Sequence, residues 1–257
     1  MLPPIWLARK ARHLASRGYF RLVACNYDRR ILARPNRTPA GTFRSYDLLN
    51  RHRNDEMLAA LAADCGPADV VYDVGAHVGM YALALARESD RQFVAFEPSP
   101  PIVERLRANV VCNDLADRIE IHAYGLGDES GDREFFCSTY PELSSFDRES
   151  ATRWEADVAD TVRVPVRRLD DVTPTLSPPD VIKLDVEGSG PAVLRGGLET
   201  LREHRPTVFV EPHEEGLPGD RPDEMQDLLT GVDYAIDEHD GYWRCLPRDK
   251  SREEASG

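Results

Sequence analysis

The stretch that decides the fold is VVYDVGAHVGMYALALAR, residues 70–87. An apolar run carries an acid, Asp73, just before it meets Gly75. Gly79 follows four residues later, and the chain then continues with apolar residues at helical spacing. A short apolar run stopped by glycine reads as a buried strand, and the periodic run behind it reads as a helix. Strand, tight turn and helix make the first half of a βαβ unit, the building block of parallel sheets covered on both faces.

Working outward, the same alternation recurs. DVVYDV (69–74), QFVAFE (92–97), RIEIHAY (118–124), DVIKLDV (180–186) and TVFVE (207–211) read as strands, with helical stretches at 79–88, 100–113 and 191–204. The expected fold is α/β: a Rossmann-like, doubly wound, mostly parallel sheet. Residues 128–170 break the rhythm. GDREFFCS and TVRVPVRRL alternate like strands around a polar loop, which predicts an inserted hairpin. VDYAIDE (232–238) and RCLP flank Asp240–Gly241 and predict an antiparallel C-terminal hairpin. Upstream, NDEMLAALAAD (54–64) opens with an Asn cap and acids in the first turn of a helix. Ile5, Leu7, Ala8, Ala11, Leu14 and Ala15 share one helical face, opposite Arg9, Lys10, Arg12 and Arg17. The expected organisation is a basic, partly helical extension (1–53), a Rossmann-like domain (54–247) and a disordered tail (248–257).

Composition narrows the function. The 257 residues are 41% hydrophobic and 30% charged, as in soluble globular proteins. No run is long enough to span a bilayer, and the N-terminus lacks the apolar core and cleavage site of a secretory leader. Five scattered cysteines without a CxxC pair suit reduced thiols in a cytoplasm. The net charge of −13 is unevenly spread. Residues 1–53 hold twelve Lys/Arg and two Asp (+10), and the remainder holds 20 basic and 43 acidic residues (−23). An acidic body repels phosphates, which argues against nucleic acid as a partner. The basic head suits either a helix packed on the body or peripheral contact with an anionic membrane through residues 1–37. Lysine is scarce: Lys10, Lys183 and Lys250 are the three among 32 basic residues. An acidic, lysine-poor surface suits a halophile's cytoplasm, although a GC-rich genome gives the same arginine bias.

In a doubly wound sheet, ligands bind beyond the carboxyl ends of the strands at the switch point. Asp73 and Glu97 stand there, 24 residues apart. A P-loop needs GK[ST] and a dinucleotide fold needs GxGxxG; here there is GxxxG. S-adenosyl-L-methionine has no pyrophosphate and asks for acids instead, one for its cationic end and one for its ribose. Asp73 and Glu97 meet that need. The plainer alternatives are glycines used for packing and a glutamate at an exposed strand end. An NAD(P)-dependent reductase of similar fold is the rival enzyme.

DVIKLDVEGSGPAVLRGG (180–197) followed by RPTVFVEPH (205–213) resembles the FkbM family of S-adenosylmethionine-dependent methyltransferases. VVYDVGAHVGMYAL, VAFEPSP and RRLDDV (167–172) fit the same family, so the resemblance covers residues 66–215. It implies that Asp73, Gly75, His77 and Gly79 line the methionine end of the donor and that Glu97 grips the ribose. Asp128, in GLGDESG, is placed either near the adenine or as a turn acid. Lys183, Asp185 and Glu187 alternate along one strand, which reads as an active-site cluster or a structural bridge, and Glu211 and His213 complete it. Asp185 and His213 are the candidate bases; no spacing supports a metal. The implied activity is O-methylation of a sugar hydroxyl, on a small-molecule or lipid-linked acceptor, in glycan or polysaccharide assembly. His77 stands where the family usually has Asn, and Gly190–Pro191 follow where a second glutamate is usual. The missing glutamate leaves a second reading, a catalytically degenerate partner subunit. The acceptor and the oligomeric state stay open.

Overall fold

In a computed structural model, described over residues 5–87, 89–212 and 221–249, the chain begins with α1 (Ile5–Arg29), then the strands β1 (Arg34–Thr38) and β2 (Gly41–Ser45). There follow α2 (Glu56–Asp64), β3 (Val70–Val74), α3 (Met80–Ala86), β4 (Gln92–Phe96), α4 (Pro100–Cys112), β5 (Ile119–His122) and β6 (Gly125–Leu126). Next come β7 (Gly131–Ser138), α5 (Arg148–Ala151), β8 (Val158–Arg167), α6 (Leu169–Val172), β9 (Val181–Leu184), α7 (Gly190–Arg195) and α8 (Leu198–His204). The chain ends on β10 (Thr207–Val210), α9 (Pro222–Thr230), β11 (Tyr234–His239) and β12 (Tyr242–Pro247).

The main sheet has the order β11-β12-β10-β9-β3-β4-β5. Strands β10, β9, β3, β4 and β5 run parallel, and the β11–β12 hairpin adds antiparallel through β12. From β3 the chain winds outward through β4 and β5, then returns to lay β9 on the other side of β3. That reversal is the switch point. Successive residues serve opposite faces, as a strand dictates. Val71, Phe93, Val181 and Phe209 join α1, α2, α3 and α4 in one core. Tyr72, Val94, Ile182 and Val208 join α7, α8 and α9 in the other. The expected Rossmann-like, doubly wound fold is therefore observed.

Local details refine the expectation. The first turn of α2 is capped by Asp55, whose side chain accepts from the Leu58 N–H, rather than by Asn54. The helical stretch 191–204 is two helices, broken at Gly196–Gly197. The inserted hairpin exists as β7 and β8, joined by β6 into a separate three-stranded sheet. The C-terminal hairpin turns at Asp240–Gly241, with His239 opposite Tyr242. All five cysteines are free thiols. Of the expected tail, residues from 250 on lie outside the described residues. Arg248 donates its N–H to the Asp233 carbonyl, and Asp249 pairs with Arg205 at 3.1 Å.

The N-terminal segment holds the largest surprise. The β1–β2 hairpin has no counterpart in the periodicity. Val23, Tyr27, Phe43 and Tyr46 are buried in the same core as α3 and α4. Asn109 of α4 donates to the Tyr27 hydroxyl at 2.9 Å and to the Val78 carbonyl at 2.9 Å. Deleting a fully buried phenyl ring leaves a cavity worth about 3–5 kcal/mol. Phe43 is 0% exposed, so Phe43→Ala is expected to lower unfolding free energy by about that amount in urea denaturation. A loss under about 1 kcal/mol would mark the hairpin as an appendage.

Candidate active site

Beyond the carboxyl ends of β3, β4, β9 and β10 lies a cavity of about 360 Å³. Its floor is the turn after β3, from Gly75 to Val78, with Glu97, Lys183, Asp185 and Glu211 around it. Its walls come from segments far away in sequence. Tyr19, Phe20 and Val23 of α1, with Asp47, Leu49, Arg51 and His52, form one side. Phe135, Glu142, Ser145 and Phe146 of the insertion form another. The two walls meet: Arg51 is ion-paired with Glu142, Arg17 lies 3.7 Å from Asp157, and the Phe20 and Tyr140 rings are 5.2 Å apart.

The turn is built by backbone that glycine alone adopts easily. Gly75 has φ +78°, and a Cβ there would fall 1.8 Å from the Asp185 carbonyl oxygen. Gly79 has φ +86°, and a Cβ there would fall 2.3 Å from Leu106 Cδ1 of α4. His77 carries a left-handed φ of 50° without being glycine, a conformation held only where the surroundings impose it. Four amides of the turn and the helix start are spent internally. Gly75 and Ala76 both donate to the Phe96 carbonyl at 3.1 Å, His77 donates to Glu97 Oε2 at 3.0 Å, and Gly79 donates to the Ala76 carbonyl at 2.8 Å. A phosphate would find no free donor among these four, whereas phosphate-binding turns aim their N–H groups outward.

Glu97 is 7% exposed and lines the cavity. Its Oε2 takes the His77 N–H, and its Oε1 takes the Ser99 N–H at 2.8 Å. Each oxygen keeps acceptor capacity, so the fixed carboxylate can take two neighbouring hydroxyls. Burial pushes its pKa up, the two backbone N–H groups pull it partly back, and it settles at about 7.

Lys183 is 3% exposed. Its Nζ lies 3.1 Å from Asp73 Oδ1 and 3.4 Å from Asp185 Oδ2, donates to the Gly75 carbonyl at 2.8 Å, and sits 5.1 Å from the centre of the Tyr81 ring. Burial works to lower its pKa, but Asp73, Asp185 and Glu211 outweigh it and hold the amine above its ordinary value. It is a fixed cation.

The predicted residues thus divide. Gly75, His77, Glu97, Lys183, Asp185, Glu187 and Glu211 are gathered around one cavity. Asp73 and Gly79 do not open into it. Asp73 is 1% exposed, and its oxygens find no well-aligned donor, so it is the counter-charge of Lys183 rather than a wall. Gly79 makes room for Leu106. Asp128 is also elsewhere: it accepts from Arg195 Nε and Nη2 at 3.2 and 3.0 Å, and Arg195 pairs on with Glu224. β9 stops at Leu184, so Glu187 is not on the strand. Glu187 accepts Ser145 Oγ–H at its carbonyl and lies 3.9 Å from Arg153. Gly190 and Pro191 are buried in the first turn of α7. His213 lies outside the described residues. His77 Nε2 is buried with no hydrogen-bond partner, and burial lowers its pKa.

Sequence reasoning missed an aromatic and acidic group on the N-terminal wall. The Tyr81 hydroxyl donates to both Asp55 oxygens, at 2.9 and 2.8 Å. His52 Nδ1 lies 2.7 Å from Asp55 Oδ2, and its ring is 5.8 Å from Tyr81. The signal was Asp55 itself, visible only as a first-turn acid.

Fold and cleft together define a class: a Rossmann-like domain with an acid-rich ligand site at its switch point. The methyltransferase FkbM domain matches residues 73–236, so the chain belongs to the FkbM methyltransferase family. It is 32% identical over 200 residues to the 31-O-demethyl-FK506 methyltransferase FkbM of Streptomyces tacrolimicus, covering 66% of this chain and 74% of that one. It is 28% identical over 176 residues to the hexuronic acid methyltransferase AglP of Haloferax volcanii, covering 68% and 67%. The AMB antimetabolite synthetase AmbE of Pseudomonas aeruginosa is 29% identical over 208 residues, 66% of this chain but 10% of that much longer protein.

Removing one partner of a buried ion pair strands the other charge at a cost of about 3–5 kcal/mol. Lys183→Met is therefore expected to destabilise the fold by that amount, and Asp73→Asn in the same chain to restore most of it. Additive losses in a denaturation double-mutant cycle would show that the two do not depend on each other.

Proposed function

We propose that the chain is an S-adenosyl-L-methionine-dependent O-methyltransferase acting on a sugar hydroxyl. The observation that carries this reading is the pairing of a doubly anchored Glu97 with a turn in which the Gly75, Ala76, His77 and Gly79 amides are already spent. That floor accepts hydroxyl protons and withholds those four amides from a pyrophosphate, which favours S-adenosylmethionine over NAD(P). The charge of the cavity agrees. Among the described lining residues are the acids Asp47, Glu97, Glu142, Asp185, Glu187 and Glu211 against the cations Arg51, Arg105 and Lys183, a field that attracts a sulfonium and repels phosphates. Relatives named for O-methylation and for hexuronic acid methylation support the acceptor class.

When bound, the donor supplies an activated methyl group. The chain supplies alignment, which is most of what such a displacement needs. Glu97 takes the ribose diol. Lys183, locked by Asp73 and the Gly75 carbonyl, fixes the turn and holds Asp185 in place.

The acceptor reading includes lipid-linked sugars. Leu22, Ile31, Leu32 and Leu49 are 64%, 66%, 52% and 55% exposed. Arg21, Arg29, Arg30, Arg34 and Arg37 are exposed beside them in sequence. Leu49 also lines the cavity. No described helix is long and apolar enough to cross a membrane; the proposed contact is peripheral, with anionic lipid.

Glu97 must be ionised to accept two hydroxyls, and its pKa is about 7. S-adenosylmethionine affinity is therefore expected to rise about tenfold per pH unit below pH 7 and to level off above it, with proton release on binding. Glu97→Gln should bind weakly and without that pH dependence. Titration calorimetry in two buffers checks both; tighter binding of NADPH would overturn the donor assignment. Glycans from cells lacking the gene should lose the mass of one CH₂ at the modified sugar, and an unchanged spectrum counts against the acceptor class. Donor binding without any label transfer would favour the partner-subunit reading. The chain should float with phosphatidylglycerol vesicles, not with phosphatidylcholine alone, and L22S/I31S/L32S should stay in solution. Wild-type protein that fails to float with phosphatidylglycerol sinks the membrane contact.

A further inference from the structure

An oxygen acceptor loses a proton as it gains a methyl group, and the floor of the cavity is poorly placed to take it. Lys183 is a fixed cation, Asp185 is engaged with that cation, and Glu97 is turned to the donor's ribose. We infer that His52 is the general base, oriented by Asp55. This rests on the O-methyltransferase reading, and both residues lie outside the family-matched segment 73–236.

Three observations carry it. His52 lines the cavity with its side chain 30% exposed, so the ring meets both ligand space and protein. Its Nδ1 is 2.7 Å from Asp55 Oδ2, which fixes the ring and its tautomer and leaves Nε2 as the proton acceptor, the arrangement that makes histidine an effective base. Asp55 is itself immobilised. It caps α2 through the Leu58 N–H at 2.8 Å and accepts the Tyr81 hydroxyl. Burial raises its pKa, but the bonds from His52, Leu58 and Tyr81 outweigh this and hold it below the ordinary carboxylate value. Asp55 stays charged, so it stabilises the imidazolium formed when His52 takes the proton.

The charged and titratable groups around the ring are Asp55 at the start of α2, Tyr81 from α3 and, behind Tyr81, Lys183 with Asp185 and Glu211. That chain of contacts sets His52 next to the residues at the ends of β3 and β9. The step balances simply. The acceptor oxygen forms a bond to the methyl carbon, the carbon–sulfur bond breaks with its electrons going to sulfur, and the hydroxyl proton moves to His52 Nε2. S-adenosylhomocysteine and imidazolium result, and the imidazolium returns its proton to water.

The test uses the full chain, tritiated S-adenosylmethionine and, as acceptor, glycans from cells lacking the gene. His52→Gln is expected to melt and bind donor like the wild type, to keep its acceptor KM, and to lose about 10²- to 10⁴-fold in kcat. Asp55→Asn should lower kcat as well. If His52→Gln unfolds, His52→Ala assayed with added imidazole replaces it, with rescue proportional to the free base. A kcat within about twofold of wild type or no imidazole rescue overturns the assignment of His52. Wild-type protein that binds no donor and transfers no label instead overturns the methyltransferase reading beneath it, and this proposal with it.

Discussion

One ammonium group holds the centre of this molecule together. Lys183 stands on β9 directly opposite Asp73 on β3, at the point where the sheet changes winding direction. Charges this deeply buried persist only when paired. The pair therefore ties the two strands at the place where their ends must splay to leave a cleft. The same Nζ holds the Gly75 carbonyl, so the first turn of the ligand floor is fixed by the same group. Gly75 is needed because the Asp185 backbone passes where any side chain would project. Strand pairing, turn geometry and the position of Asp185 are consequences of a single salt bridge and the small residue beside it.

The second constraint is an accounting of backbone donors. A turn at the amino end of a helix is usually a place for anions. Here the neighbouring strand claims those donors first: Phe96 takes two amides and Glu97 a third. What Glu97 presents to the cavity is an acceptor. One carboxylate at the end of β4 thus both fixes the turn and lines the cavity.

Much of this was legible in the sequence, and the legible part has a common character. The five parallel strands, the insertion and the C-terminal hairpin follow from local periodicity. Val71 and Tyr72 or Phe93 and Val94 alternate between faces as a strand requires. What was hidden depends on contacts distant in sequence. Asp128 reads like a turn acid and meets Arg195, 67 residues on. Asp73 has the residue type of a ligand contact, and only its register opposite Lys183 shows that it is used internally. The hairpin β1–β2 offers Phe43 as its one large inward side chain, too little for a periodic signal. Tyr19, Phe20 and His52 come to the cavity because α1 and the segment after β2 fold over the sheet's carboxyl edge. No property of residues 1–53 on their own announces that.

The cleft is thus assembled from stretches that answer to different demands. Its base is written in the turn after β3 and the ends of β4 and β9, where backbone sterics and a buried charge pair leave little latitude. Its sides are written in α1, residues 46–53 and the β7–β8 insertion, joined mainly by Arg51–Glu142 and the tilted Phe20–Tyr140 ring pair. Drift in those outer segments alters the shape offered to an acceptor while the base stays intact. Such a division lets one ancestral scaffold diversify its choice of acceptor by editing borders alone.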